Sequence, residues 1–250
     1  MDALTGIVLA GGRGTRLAPL TDTTSKQLLP VGGRPLVCRV IDQLVRAGVV
    51  DVLVVIDERY ADRFLGVLRD GEGLGLRSLG YVWQPARGPG LPSAIGRAEH
   101  LLRTDKLVAA CGDVLIEDTL ERAVHDFAVQ PSGARMVASY TADTAGQTPL
   151  TVGGSFVRGL GDKDPHRHGP GLMDMGFYCF HRDVFDDIRA LRPSARGETE
   201  IWDLNRDYAR RGELHWSEIS GWWCDVGGSV AAYRAADERY AAIDALKSRS

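Results

Sequence analysis

Residues 6–10 (GIVLA) form an apolar run with no polar alternation, which predicts a short strand covered on both faces. The run feeds directly into a glycine loop, Gly11-Gly12-Arg13-Gly14-Thr15-Arg16. After Pro35, residues Leu36, Val37, Val40, Ile41, Leu44 and Val45 recur on one face of a helix, and Gly48 stands where a helix commonly stops in the left-handed conformation. A second apolar run covers residues 49–56. Residues 59–69 then read as helix, 79–84 as extended, 93–102 as helix and 107–111 as extended. Strand and helix alternate, so the predicted class is α/β: a Rossmann-like mixed, mostly parallel sheet with helices on both faces.

Beyond residue 120 the alternation loosens. Residues 120–129 read as a helix and 134–140 as a strand, Gly153-Gly154 suits a hairpin, and 172–181 reads as a long strand. Two helices follow at 183–191 and 200–211, then a second glycine turn at Trp222-Trp223-Cys224-Asp225-Val226-Gly227-Gly228, then an amphipathic helix over 230–246. Neither a linker nor an internal repeat interrupts the pattern, so residues 1–250 are read as a single domain. Ligands of open α/β sheets bind beyond the carboxyl ends of the strands, which directs attention to residues 11–16, 84–93, 112–113 and 161–165.

Composition narrows the classes. The chain is 44% hydrophobic and 25% charged, ordinary for a globular protein, and 30 Lys and Arg against 33 Asp and Glu leave a net charge of −3. That balance lacks the basic excess of a nucleic-acid binder, so no nucleic-acid partner is expected and an anionic ligand must be met locally. Met1-Asp2-Ala3-Leu4-Thr5 has no basic segment and the apolar run after it stops at Gly11, which argues against a signal peptide or a membrane span and favours the cytoplasm. Cys38, Cys111, Cys179 and Cys224 lie far apart without a CxxC, the pattern of buried free thiols rather than of zinc or disulfides. His166 and His168 read as a solvated or phosphate-neighbouring pair rather than a metal site. Trp222-Trp223 suits either stacking on a base or, preferably, packing beneath the glycine turn.

The glycine loop fails two familiar fingerprints. G-x-G-x-x-G breaks at Leu17, and no G-K-[ST] occurs anywhere in the chain. What remains is a run of backbone N–H groups open to close approach by phosphate, with Arg16 and Lys26 adding charge; a tight turn with solvated basic residues is the competing reading. Read whole, however, Leu9-Ala10-Gly11-Gly12-Arg13-Gly14-Thr15-Arg16-Leu17-Ala18-Pro19-Leu20-Thr21 with Ser25-Lys26-Gln27-Leu28-Leu29-Pro30-Val31 resembles the signature of the sugar-1-phosphate nucleotidyltransferases, closest to the glucose-1-phosphate thymidylyltransferases. The resemblance continues in order through Gln84-Pro85, Gly90-Leu91, Gly112-Asp113, Asp162-Lys163, Met175-Gly176-Phe177-Tyr178, Pro193 to Glu198, and Trp223 to Gly227.

This resemblance implies transfer of a nucleotidyl group from a nucleoside triphosphate, with dTTP or UTP favoured, to a sugar 1-phosphate or sugar-like phosphate, with release of pyrophosphate. It implies a nucleotide-binding part at about 1–115, a sugar-phosphate part at about 116–228 and a closing helix at 229–250. Arg16, Lys26, Lys163 and Arg196 would be the catalytic cations; Leu9, Gly11, Gly12, Gly14, Thr15, Gln84 and Gly90 would bind the nucleotide; Asp162, Gly176 and Glu198 would bind the acceptor. Asp113 and Asp225 would hold Mg²⁺, which commonly takes one or two carboxylates plus substrate phosphates, although a lone Asp at a strand end is also an ordinary turn residue. For Arg196 a salt bridge to Glu198 or Glu200 is the competing reading.

Three departures stand out. No tyrosine occupies the stretch 147–153 where the family has one, Asp162 replaces a glutamate, and Asp164 is inserted before Pro165. The acceptor is therefore expected not to be plain glucose 1-phosphate. One extra residue between Gln84 and Gly90 leaves the choice among dTTP, UTP, CTP and GTP open. The chain also ends soon after its last helix, so the feedback regulation carried by extra C-terminal helices is not expected. The alternatives are the same fold acting with CTP or GTP on a non-glucose phosphorylated acceptor and a catalytically idle nucleotide-binding regulator, and assembly into a homo-oligomer is left open.

Overall fold

The structure is a computed structural model that describes residues 4–84, 90–164 and 166–247. Its first half runs β1 (Leu4–Ala10), the short strands β2 (Pro30–Val31) and β3 (Arg34–Pro35), α1 (Leu36–Arg46), β4 (Asp51–Ile56), α2 (Ala61–Leu68), β5 (Ser78–Trp83), α3 (Leu91–Arg97) and β6 (Lys106–Cys111). The second half runs β7 (Val114–Ile116), α4 (Glu121–Ala128), β8 (Ala134–Thr141), β9 (Pro149–Gly153), β10 (Phe156–Leu160), β11 (Gly171–His181), α5 (Val184–Ala190), α6 (Ile201–Arg211), β12 (Leu214–Glu218), β13 (Trp223–Asp225) and α7 (Val230–Lys247). Among the described residues nine strands form one sheet in the order β5-β4-β1-β6-β11-β8-β12-β10-β9, and β7 pairs separately with β13.

β1 shows why an unalternating apolar strand belongs in the middle of such a sheet. It pairs in parallel with both β4 and β6. Its side chains alternate between two cores: Val8 and Ala10 pack with Leu36, Val40, Ile41 and Phe64 from α1 and α2, whereas Ile7 and Leu9 pack with Ala94, Ile95 and Leu204 from α3 and α6. Helices thus cover both faces, as expected. Gly48 ends the first helical segment with φ +84°, a conformation that glycine adopts without steric cost.

The parallel character is narrower than the sequence pattern suggests. It holds for β5-β4-β1-β6 and recurs between β8 and β12, while β11 runs antiparallel to both β6 and β8, and β10 runs antiparallel to β9 and β12. For β9 and β10 the cause is connection length: they are joined only by Gly154 and Ser155, a turn that permits antiparallel pairing alone. The final helix also differs from its expected amphipathic form. Only Ala236 and Tyr240 of α7 are buried, and polar contacts help to dock it: Gly32 N–H donates to Asp237 at 2.8 Å, the Tyr233 hydroxyl donates to the Pro30 carbonyl at 2.8 Å, and Arg39 pairs with Asp244.

Candidate active site

The loops after β1 and β6 lie side by side because the two strands are parallel neighbours, with Leu9 in register with Cys111. Gly112 N–H donates to the Leu9 carbonyl at 3.0 Å, and a Cβ at Gly112 would stand 2.7 Å from that oxygen, so only glycine allows this approach. The first loop turns at Gly14 (φ +67°), whose carbonyl accepts from the Thr21 hydroxyl at 2.9 Å, and enters a single 3-10 turn over Thr15–Leu17. Leu17, the residue that breaks the dinucleotide fingerprint, is completely buried. It anchors the loop from below and leaves Thr15 and Arg16 exposed.

Asp113 follows β6, and the β7–β13 pairing brings Asp225 to it. Asp225 faces Val114 in register, and Val226 N–H donates to the Asp113 carbonyl at 2.9 Å. Lys26 reaches the same point and forms an ion pair with Asp113, both side chains being largely buried. A Cβ at Gly227 would lie 2.1 Å from Asp113 Oδ2 and 2.8 Å from Lys26 Nζ, so the bare glycine makes room for the pair. Burial opposes the charge on Lys26, but the attraction and hydrogen bond of Asp113, aided by Asp225, prevail and hold its pKa above the ordinary lysine value. Burial first, and the negative charge of Asp113 second, push the Asp225 carboxyl up; Arg16, Lys26 and Lys163 pull it the other way.

These groups open into a cleft of about 1140 Å³. Every nucleotide-side candidate lines it: Leu9, Gly11, Gly12, Gly14, Thr15, Arg16, Lys26, Gln84 and Gly90. Gly11 sits against Gln84, since a Cβ there would meet Gln84 Oε1 at 2.5 Å. From the other half come Lys163, Gly176, Arg196 and Glu198, with Asp113 and Asp225. Gly90 (φ +128°) abuts Thr199, whose hydroxyl lies 2.9 Å from that of Ser93, so the two halves are stitched together at this edge. The expected extra residue between Gln84 and Gly90, and Pro165 after the inserted Asp164, lie outside the described residues.

Asp162, expected to grip the acceptor, is the one candidate that is not on the cleft wall. Its side chain is 85% exposed and forms an ion pair with Arg206 of α6. The carboxylate found in that part of the cleft is Asp174, which the sequence reading missed. Asp174 accepts from the Tyr178 hydroxyl at 2.7 Å and from Gly176 N–H at 2.8 Å, and its own N–H meets the Thr148 carbonyl at 3.4 Å. Burial raises its pKa, with these hydrogen bonds and the charge of Lys163 opposing. The available signal was a single carboxylate inside the otherwise apolar run 172–180, since unpaired charges are rarely placed in buried strands.

Arg196 pairs with Glu200, at 2.6 Å and 3.2 Å, which bears out the salt-bridge reading; it also faces the cleft. Trp222 packs against Tyr240, with ring centroids 6.2 Å apart, whereas Trp223 lines the cleft. His168 pairs with Asp143 at 3.1 Å on an exposed loop, away from the carboxylate pair.

The sequence profile of the family described as Nucleotidyl transferase matches residues 5–242. The chain belongs to that family. This nucleotidyltransferase is 34% identical over 236 residues, 93% of its length and 77% of the relative's, to a glucose-1-phosphate thymidylyltransferase of Actinoplanes sp.. It is 32% identical to the glucose-1-phosphate thymidylyltransferase of Neisseria meningitidis, covering 92% of this chain and 81% of that one. Among solved structures, a Bacillus anthracis protein assigned as a glucose-1-phosphate thymidylyltransferase, in complex with a sucrose, superposes with a TM-score of 0.87 at 30% identity, covering 96% of both chains. A UDP-glucose pyrophosphorylase complexed with UDP-glucose shares the fold, with a TM-score of 0.79 at 19% identity.

The nucleotidyltransferase site can accommodate a hard divalent cation. Asp113, from the turn after β6, and Asp225, at the end of β13, line the same cleft, and the charge of Asp113 helps to raise the Asp225 pKa, a repulsion that a bound cation would relieve. Among the described residues no cluster of three or more His, Cys, Asp or Glu is gathered for a metal, so phosphate oxygens and water would complete the shell. No described helix is long and apolar enough to cross a membrane.

Proposed function

We propose that this nucleotidyltransferase joins a nucleoside triphosphate, dTTP or UTP in preference to the rest, to a sugar 1-phosphate or closely related ring phosphate in the cytoplasm. A phosphate oxygen of the acceptor attacks the α-phosphorus; the new P–O bond forms as the bond to the bridging oxygen breaks, and pyrophosphate leaves with the electron pair. The observation that carries this reading is a single cleft lined by Arg16 from the glycine loop, Lys26 beside Asp113, Lys163 from the other half, and Asp225. A reaction between two polyanions needs cations converging from both substrates' sides.

Arg16 would take the triphosphate, for which its planar fork is suited. Among the described residues neither Arg16 nor Lys163 has a carboxylate within 4.0 Å, so their charges are free for phosphate. Lys26 keeps its proton and stabilises the charge gathering on the reacting phosphates. Asp113 and Asp225 would hold Mg²⁺, which supplies further neutralisation of the phosphate oxygens when bound. Gln84, packed against Gly11, would read the base edge, and Asp174 rather than Asp162 would accept hydrogen bonds from ring hydroxyls of the acceptor. The names of the curated relatives support the nucleotide and sugar-phosphate classes.

The test is Mg²⁺-dependent pyrophosphate release across a panel of triphosphates and ring phosphates, with each product identified by mass. A nucleotide sugar from a pyrimidine triphosphate supports the reading; no release with any pyrimidine triphosphate and ring phosphate would end it.

A further inference from the structure

Two cleft cations rest on one indole. Lys163 Nζ lies 5.6 Å from the Trp202 ring centroid and Arg196 Cζ lies 5.4 Å from it, both within the range of cation–π attraction. Trp202 is the second residue of α6. Its neighbours Ile201 and Leu204, 6% and 0% exposed, fix that first helical turn in the core, so the ring is carried by a rigid element. Glu200, immediately before the helix and 5% exposed, clamps Arg196 and accepts from the Ser194 hydroxyl at 2.9 Å.

The two cations are held differently. Arg196 has a carboxylate partner, whereas Lys163, among the described residues, has none within 4.0 Å and has the Trp202 ring instead. That difference has a chemical consequence. A carboxylate would orient a lysine but also neutralise it and compete with an incoming phosphate. An aromatic face restrains the flexible four-carbon stem and leaves the full positive charge available, which lowers the ordering cost of binding. It also offers a shared site of negative potential to two like charges that otherwise repel.

We propose that Trp202 is a positioning residue that holds Lys163 and Arg196 ready for the acceptor's phosphate. This rests on the function proposed above, in which Lys163, the unpaired cation from the acceptor half of the cleft, receives that phosphate. The experiment measures kcat and KM for acceptor and triphosphate separately in Trp202→Leu, Trp202→Phe, Lys163→Ala and the double variant Trp202→Leu/Lys163→Ala. Trp202→Leu should raise the acceptor KM roughly five- to thirty-fold, with kcat and the triphosphate KM within about twofold. Trp202→Phe, which keeps an aromatic face, should recover most of the loss. In the Lys163→Ala background the Trp202→Leu effect should shrink to that of the Arg196 contact. Should the leucine variant not fold, Trp202→Met serves in its place.

An unchanged acceptor KM in Trp202→Leu, or an equal rise in both KM values, overturns the proposal. So does an undiminished effect in the Lys163→Ala background, which would mean that the ring touches the acceptor itself. If Lys163→Ala alone leaves the acceptor KM unmoved, the reading of Lys163 fails and the proposal falls with it.

Discussion

Asp113 and Asp225 meet because Val226 N–H donates to the carbonyl of Asp113 at 2.9 Å, which locks two three-residue segments of distant sequence into one antiparallel ribbon. Asp113 lies in the turn after β6 and Asp225 ends β13, and the ribbon makes their juxtaposition a property of the backbone. Asp113→Asn or Asp225→Asn should therefore leave the fold intact, seen as an unchanged far-ultraviolet spectrum, while lowering kcat by roughly a hundredfold or more, the scale on which precisely placed charge stabilisation acts. Gly227→Ala should act similarly without touching a charge, since its Cβ would be driven to within 2.1 Å of Asp113 Oδ2. Near wild-type turnover of either asparagine variant at saturating Mg²⁺ would remove the metal role.

Gln84 stands at the end of β5 with its amide against Gly11. A side-chain amide and nearby backbone groups can match a pyrimidine edge in paired hydrogen bonds, and a larger purine fits poorly in the same space. Pyrimidine triphosphates should be the better substrates, and Gln84→Ala should raise the KM of the preferred one roughly five- to tenfold, the loss of about one hydrogen bond. Steady-state kinetics with all four bases decides; faster turnover with GTP or ATP than with any pyrimidine would contradict this arrangement.

The main α/β grammar was legible in the chain because its elements are long and periodic: β1 runs straight into the glycine loop, and the apolar face of α1 ends before Gly48. Most of the cleft was legible too, since loop residues lie at strand ends where open sheets bind ligands. What was not legible are the pieces whose environment is made by distant partners. β7 and β13 have three residues each, and β12 is only half-buried, too little for periodicity to register. The pairing of Asp162 with Arg206 is of the same kind, since that partner lies on α6, far along the chain. Trp202 gave no signal at all, since a tryptophan in the first turn of a helix is usually packing.

Asp174 and Asp162 make opposite predictions. Asp174 lies in the cleft, held by Tyr178 and Gly176 N–H, with oxygen lone pairs left for a donor on the acceptor ring. Asp174→Asn is nearly isosteric but turns one acceptor atom into a donor, so it should reorder the kcat/KM values of a set of ring phosphates, changing at least one pair by roughly tenfold. Asp162→Glu should leave the ranking unchanged, because that side chain is exposed and paired with Arg206 rather than part of the cleft wall. A reordering by Asp162→Glu and none by Asp174→Asn would reverse the assignment of the two carboxylates.

Stability should fall on mild acidification, and His181 supplies the reason. Its ring packs edge-on against Phe127, with centroids 5.2 Å apart, and Nε2 is buried without a hydrogen-bond partner among the described residues. Burial first, and then the ammonium of Lys106, hold its pKa below the ordinary histidine value; Asp183, the Gln130 backbone and Asp105 oppose the shift. Lys106 cannot move away, because its Nζ donates to the carbonyls of Phe127, Ala128 and Gln130 at 3.2, 2.6 and 2.9 Å, closing the end of α4. The unfolded chain consequently binds a proton at His181 more readily than the native state. Native stability is greatest above the unfolded value of about 6.5 and declines as the pH falls below it, until the lower folded pKa is passed and both states are protonated. Thermal unfolding followed from pH 7.5 to pH 5 should show this decline, and His181→Phe, which keeps an aromatic ring against Phe127, should flatten it. An identical pH slope in the phenylalanine variant would assign the acid sensitivity to other groups.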